Sequence, residues 1–339
     1  MASGGSVASS QRYRCHGDRG RNEGMFLSNF FAVLWRIVKW FLRVVTGKCE
    51  IERKLGSVSH TSSLTLVFAD CLAKSKQLGG VAKLVFSANN EIFAPARLAD
   101  AVLRIKNIPA FNSRAGPNVK ACLVDLNGVC AAIEAIRRIR DTRFDSSNAS
   151  HESRLENVWN GLRPGVRRRG GRLSLDWQEI GFQGEDPATD FRGMGLLGLM
   201  NLEYLACEQR DIASYVLARQ ATHGLFFAIT GINVTAYVMN LLEARHLDAF
   251  FYTSVLRKKG EAASMMNGDD NDDAPSSLSA MELSALRTFH QIYTQMFWRL
   301  ATFWENAGQA DIMAFTSVFL AFQPQVEREL LAGTVTLNK

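Results

Sequence analysis

The 339 residues are 47% hydrophobic and 21% charged, enough chain for one large domain or two modest ones, and a composition that excludes a wholly disordered protein. The net charge of +6 permits attraction to anionic membranes or nucleic acid, but so small a surplus over the whole chain selects neither. Six scattered cysteines without a C-x-x-C pair, and six histidines never at i, i+4, argue against a disulfide scaffold and a protein-held metal, and favour a reducing, cytosol-facing compartment.

Only seven prolines interrupt the chain, so long stretches read as helical unless alternation argues otherwise. Residues 1–24 are rich in Gly, Ser and Arg with almost no large apolar residue, and are expected to form a disordered tail. They lack the apolar stretch of a signal peptide, so secretion is not expected. Residues 25–46 form the first expected helix. Met25–Val45 is mostly apolar, but Arg36, Lys39 and Arg43 interrupt it, each costing about 2.5–3.5 kcal/mol at a bilayer centre. With Asn29 they make one narrow stripe, while Phe30, Leu34, Ile37, Phe41 and Val44 line the other side. Trp35 and Trp40 suit a headgroup boundary. Two readings stand beside a short true span: an in-plane anchor on an anionic membrane, contacted through Arg36, Lys39, Trp40 and Arg43, or a helix docked on the core with its cations at the rim.

Residues 47–149 read as an N-terminal helical region. Leu64, Phe68, Cys71 and Leu72 recur at helical spacing, Pro95 opens a segment carrying Leu98, Val102 and Ile105, and Val119, Leu123, Leu126, Val129, Ile133, Ile136 and Ile139 share a face. Residues 107–117 and 141–150 are turn-rich loops. Residues 163–172 carry five arginines in ten positions. Without an aromatic platform or nucleic-acid module this is a solvated loop with no nucleic-acid partner expected; phospholipid or an acidic protein suits it better. Leu225–Leu242 has no charge but one polar edge, Thr230, Asn233, Tyr237 and Asn240, and reads as a core helix. Residues 257–277 hold five acids without calcium-loop spacing and are expected to be a disordered acidic insert. Ser279 and Glu282 spell a capping box for a long helix whose stripe is Leu286, Phe289, Tyr293, Met296, Leu300 and Phe303.

Trp177–Leu199 does not look like ordinary core. Gly181, Gly184 and Pro187 demand a shaped loop, and Thr189 or Asp190 could cap a helix beginning near Phe191. Gly193, Gly195 and Gly198 match G-x-G-x-x-G, but a Gly/Pro loop stands where the dinucleotide fingerprint needs a strand. Three glycines inside a helix cost about 1 kcal/mol each, so another backbone is expected to approach that face. Arg192 in a first helical turn would meet the unfavourable end of the dipole. It could clasp Asp190 or Glu185, or offer its guanidinium to an anion.

The string Trp177-x3-Gly181-Phe182-Gln183-Gly184-x2-Pro187-x-Thr189-Asp190-Phe191-Arg192-Gly193-x-Gly195 resembles the signature of the ELMO domain, as carried by the ELMOD proteins. A second patch, Lys39-Trp40-x2-Arg43-x2-Thr46-Gly47-Lys48-Cys49-Glu50-x2-Arg53, is similar to the N-terminal region of the shorter ELMOD members, and Gly231-Ile232-Asn233-x-Thr235 is similar to a later family segment. The resemblance implies an all-α, multi-helix ELMO domain near 150–325, with the N-terminal helices packed on it and a C-terminal tail at 326–339. It implies a GTPase-activating protein for Arf or Arf-like small GTPases, in which the residue matching Arg192 is required for activity. Asp190 would orient the guanidinium, Thr189 would cap, and Gln183 would bond loop backbone or the GTPase; Trp177, Phe182 and Phe191 read as core. No cofactor is implied for this chain, since GTP and Mg²⁺ belong to the partner. The expected protein is cytoplasmic and peripherally associated with an endomembrane. The resemblance leaves a non-catalytic scaffold or a GTPase effector as alternatives, although the chain has no room for the extra domains of the larger ELMO scaffolds.

Overall fold

Every regular element among the described residues is helical, and none is a strand. The computed structural model describes residues 34, 37–56, 59–86, 94–109, 114–248, 250–256, 278–308 and 312–332. The expectations for residues 1–24, residues 25–33, Trp35, Arg36 and the acidic insert at 257–277 lie outside them.

Helix α1 covers residues 37–46, followed by α2 (Glu50–Leu55), α3 (Ser62–Lys74), α4 (Gly79–Val85) and α5 (Pro95–Lys106). Pro95 stands in the first turn of α5, where its missing N–H costs nothing. Helix α6 (Ala115–Asp141) starts earlier than the turn-rich composition of 107–117 suggests, because Pro117 falls in its first turn and not before it. It is the central element, packing on α3 and α5 along one part and on α8 (Gly195–Glu208) and α12 (Ala280–Asn306) along another. Val119, Leu123, Leu126, Val129 and Ile136 are fully buried there, whereas Ile133 and Ile139 lie at the margin.

Helices α7 (Ala149–Leu162), α9 (Arg210–His223), α10 (Phe227–Glu243), α11 (residues 250–256) and α13 (Phe315–Leu331) complete the set. One continuous core runs from Ile51 to Val326, and each fully buried Leu or Phe within it stabilises the fold by about 1.5–3 kcal/mol. The Ser279–Glu282 capping box forms in both directions, and Leu286, Phe289, Tyr293, Met296 and Leu300 are buried below it. Phe303 is half-buried, and Ile105 is exposed at the end of α5. Helix α13 continues through Leu331 with Val326 buried, past the start of the expected tail at 326. On the polar edge of α10, Thr230 and Tyr237 are buried, Asn233 is half-buried and Asn240 is exposed. No single described helix is long and apolar enough to cross a membrane.

Candidate functional site

Two short 3-10 turns on the surface of α7, α8 and α10 build the motif. The first, Leu175–Ile180, is capped by Ser174, whose Oγ accepts the Asp176 N–H at 3.1 Å. It drops Trp177 into the core, where Nε1 donates to the Arg172 carbonyl at 2.9 Å. Trp177 packs edge-on against Trp159 and Phe182, Phe182 against Phe191, and Phe191 stacks on Phe144, with centroids 5.6–5.8 Å apart throughout. Trp177, Phe182 and Phe191 are therefore core, as their types suggest, and such pairs add about 0.5–1.5 kcal/mol each beyond burial. Gly181 closes this turn at φ +88°, and a Cβ there would sit 2.4 Å from the Phe227 nitrogen. Only glycine fits.

The second turn, Pro187–Arg192, carries the expected catalytic arginine. Its cap is neither Thr189 nor Asp190. Asp186, on extended backbone immediately before a proline at the first helical position, accepts the Ala188 N–H at 3.0 Å, and the helix that Thr189 or Asp190 was expected to cap begins only at Gly195, behind Met194 and without a side-chain cap. Thr189 instead donates its hydroxyl to the Asp186 carbonyl at 2.9 Å. Asp186 also takes Arg172 at 2.9 Å, and the Ser174 N–H donates to the Glu185 carbonyl at 3.0 Å. The two turns are thus laced together.

Arg192 ends its 3-10 turn; the expected helix begins later, at Gly195. The guanidinium lies at the carbonyl end of the turn, where a cation is welcome, and Nε donates to the Thr189 carbonyl at 2.8 Å. Arg192 is exposed, and its two Nη groups have no hydrogen bond or ion pair among the described residues. Asp190 does not clasp it. The Asp190 carboxylate accepts the Gln183 N–H at 2.9 Å; burial pushes its pKa above the ordinary carboxylate value, opposed by that N–H and by the nearby charge of Arg192. Gln183 exposes its side chain, while its carbonyl accepts from Gln178 at 3.3 Å.

Of the motif glycines, Gly195 meets the expected close backbone. At φ +47°, its Cβ would lie 2.2 Å from the Arg140 carbonyl oxygen and 2.3 Å from that of Thr142. The Leu196 N–H donates to the same Thr142 carbonyl at 2.8 Å. Gly193 has open space around it, and Gly198 faces side chains.

The arginine-rich run is less free than its composition suggests. Arg168 stacks 4.1 Å above the Trp177 ring and pairs with Glu156, and Arg172 pairs with Glu152 and Asp186. Arg163 bonds the Glu179 carbonyl at 3.2 Å, while Arg169 stays exposed. Three of the five thus support the motif rather than form a charged patch, a role that their i-to-partner separations of 12 to 20 residues hide from any local pattern.

Helix α1 does not follow the docked reading, and one cation of its polar stripe faces inward. Lys39, on the polar stripe, faces the protein and pairs with Glu50 at 2.6 Å. Leu34, Ile37, Trp40, Phe41, Val44 and Val45 are all exposed, Trp40 to 65%. The apolar side of the described part of this helix is not docked on the core.

The described residues hold no group of three or more His, Cys, Asp or Glu that could bind a metal ion. A family model described as the ELMO/CED-12 family matches residues 134–319. The chain is 32% identical to ELMO domain-containing protein B of Dictyostelium discoideum, covering 87% of this chain and 94% of that protein. It is 30% identical to ELMO domain-containing protein 1 of Mus musculus, over 88% of each, and 30% identical to ELMO domain-containing protein 2 of Homo sapiens, over 92% and 96%. No solved structure matches. By its family match, its relatives and its motif, the chain belongs to the ELMO/CED-12 family and to the ELMO domain-containing proteins within it.

Proposed function

We propose that this protein stimulates GTP hydrolysis on an Arf or Arf-like small GTPase, with Arg192 as the arginine offered to the γ-phosphoryl group. The observation that carries this reading is the state of Arg192: exposed, anchored through Nε to Thr189, with both Nη groups unpartnered among the described residues. Phosphoryl transfer spreads negative charge over the equatorial oxygens, and an arginine supplied by a partner protein is worth about 10³–10⁵-fold, roughly 4–7 kcal/mol. A planar fork bridges two oxygens where a lysine offers one point of charge. Fixing Nε leaves fewer rotors to order on binding. Asp190, Gln183, Thr189 and the buried aromatic residues hold the loop and take no part in the chemistry. GTP and Mg²⁺ are the partner's, and this chain supplies no cofactor.

The reading includes a cytoplasmic protein held at the periphery of an endomembrane. The outward apolar side of α1, with Trp40 at its edge and Arg43 beside it, supports that part.

Single-turnover GTP hydrolysis on a panel of Arf and Arf-like GTPases, with wild type beside Arg192→Lys, tests the catalytic part. Wild type should accelerate at least one GTPase, and the lysine variant should lose about 10³-fold or more of that acceleration. Stimulation that survives the substitution unchanged would remove Arg192 from the chemistry and favour a non-catalytic scaffold or a GTPase effector.

A further inference from the structure

The second family-like segment, Lys39 to Arg53, has no part in the arginine mechanism, yet its polar residues converge. Lys39, Trp40, Arg43, Glu50 and Arg53 line one groove of about 340 Å³, closed on the far side by Lys106 at the end of α5. Glu50, its one acid, is already engaged, by Lys39 at 2.6 Å and Lys54 at 3.0 Å. Burial raises the Glu50 pKa, and those two ammonium groups more than reverse the effect. Arg43, Arg53 and Lys106 therefore remain as surplus cations.

Their placement suits an anion. The half-buried Arg53 lines the groove on the α2 side. Lys106 donates to Ser75 at 2.8 Å and to Gln77 at 2.9 Å, leaving one ammonium N–H over. Burial pushes its pKa below the ordinary lysine value, and Arg43 pushes the same way; an anion in the groove would relieve both. On α1, Trp40 and Arg43 form the rim that joins this groove to the exposed apolar side carrying Ile37, Phe41 and Val44. A cationic pocket contiguous with an outward apolar strip and an interfacial tryptophan matches a lipid, whose phosphate lies at headgroup level just above the acyl boundary.

We propose that the groove between α1 and α5 seats the phosphate of an anionic phospholipid headgroup, while α1 lies with its apolar side in the bilayer interface. This rests on the membrane part of the function proposed above and is independent of Arg192.

The test is flotation of the full chain with phosphatidylcholine vesicles, alone or containing phosphatidylserine or a phosphoinositide. The double variant Arg53→Gln/Lys106→Gln is compared after circular dichroism confirms its fold; Arg43→Gln, on the exposed rim, is a second variant that does not disturb packing. Wild type should prefer anionic vesicles. The double variant should lose about 30-fold of that partitioning, and Arg43→Gln about fivefold, at roughly fivefold per surface cation. Anionic binding that both variants retain would overturn the groove and leave α1 as a non-selective anchor. Wild type that floats no better with anionic than with neutral vesicles would overturn the groove and the charge-dependent membrane reading together. Inorganic phosphate that stabilises wild type but not the variants, without any vesicle preference, would assign the pocket to a soluble anion and overturn the lipid.

Discussion

The motif glycines Gly193 and Gly195 are two residues apart and equivalent in sequence, but their surroundings make opposite demands. In Gly195→Ala, the new Cβ would meet two carbonyl oxygens at 2.2 and 2.3 Å, both belonging to backbone at the end of α6. Neither can swing aside like a flexible side chain. The positive φ of 47° costs a non-glycine residue about 1–2 kcal/mol. Overpacking adds about 1–3 kcal/mol. Parting α6 from α8 also weakens the 2.8 Å bond from Leu196 to Thr142, for about 1 kcal/mol more. The total is roughly 3–6 kcal/mol, a large share of an ordinary stability of about 5–15 kcal/mol. At Gly193, φ is −87° and no atom beyond the glycine and its two chain neighbours lies within 4 Å of the added carbon, so alanine should change stability by no more than about 0.5 kcal/mol. Urea unfolding followed by circular dichroism separates the two: a loss of ~4 kcal/mol moves the midpoint by more than about 1 M at slopes of about 1–3 kcal/mol/M. Equal midpoints for the two variants would refute the argument. A Gly193→Ala protein that folds normally yet fails to stimulate a GTPase would mark that open space as the partner's.

His290 is fully buried and stacked on Tyr204, and its Nδ1–H donates to Asn201 Oδ1 at 2.6 Å, since the Asn201 amide nitrogen is committed to Thr235. Burial, helped by the charge of Arg154, lowers its pKa to about 3; the unfolded chain then takes up a proton near pH 6.5 that the native state refuses. Stability contributed this way is present above pH 6.5 and falls by about 1.4 kcal/mol per pH unit below it, so His290→Gln should flatten the wild-type loss between pH 7 and 5 by about 2 kcal/mol in urea unfolding, and parallel pH profiles would contradict this. Asp186→Ala removes a cap worth about 0.5–2 kcal/mol and a partly exposed pair worth up to about 1 kcal/mol. Because that cap shapes the turn ending in Arg192, GTPase stimulation should fall by about a hundredfold at temperatures where the variant stays folded; unchanged stimulation would mean that the turn does not position the arginine.

The helical framework was legible because its signals are local. The stripes of α3, α6 and α12, the Pro95 start of α5 and the Ser279–Glu282 box each involve residues within a turn or two of one another, and each lies where spacing puts it. The site was legible as a shaped loop with a core of aromatic residues and one conspicuous arginine. Its internal assignments were not. Asp186 caps a 3-10 turn where a helix capped by Thr189 or Asp190 was expected, and Asp190 turns to Gln183 instead of Arg192. The Asp-Pro pair at 186–187 is a signal that could have found the cap; nothing in sequence marks which carboxylate a neighbouring chain segment will occupy.

By itself, the sequence determined the all-α class, the family and the identity of Arg192 as the residue to watch, since periodicity, capping pairs and a motif are written in near neighbours. Only the tertiary structure decided which way things face. It set Arg192, exposed, at the end of a turn, distinguished Gly195 from Gly193 by the backbone of α6, and turned α1 so that Lys39 looks inward to Glu50 while the apolar side looks out. Those outcomes depend on contacts between residues far apart in the chain, and an amphipathic pattern specifies two faces without saying which of them meets the protein.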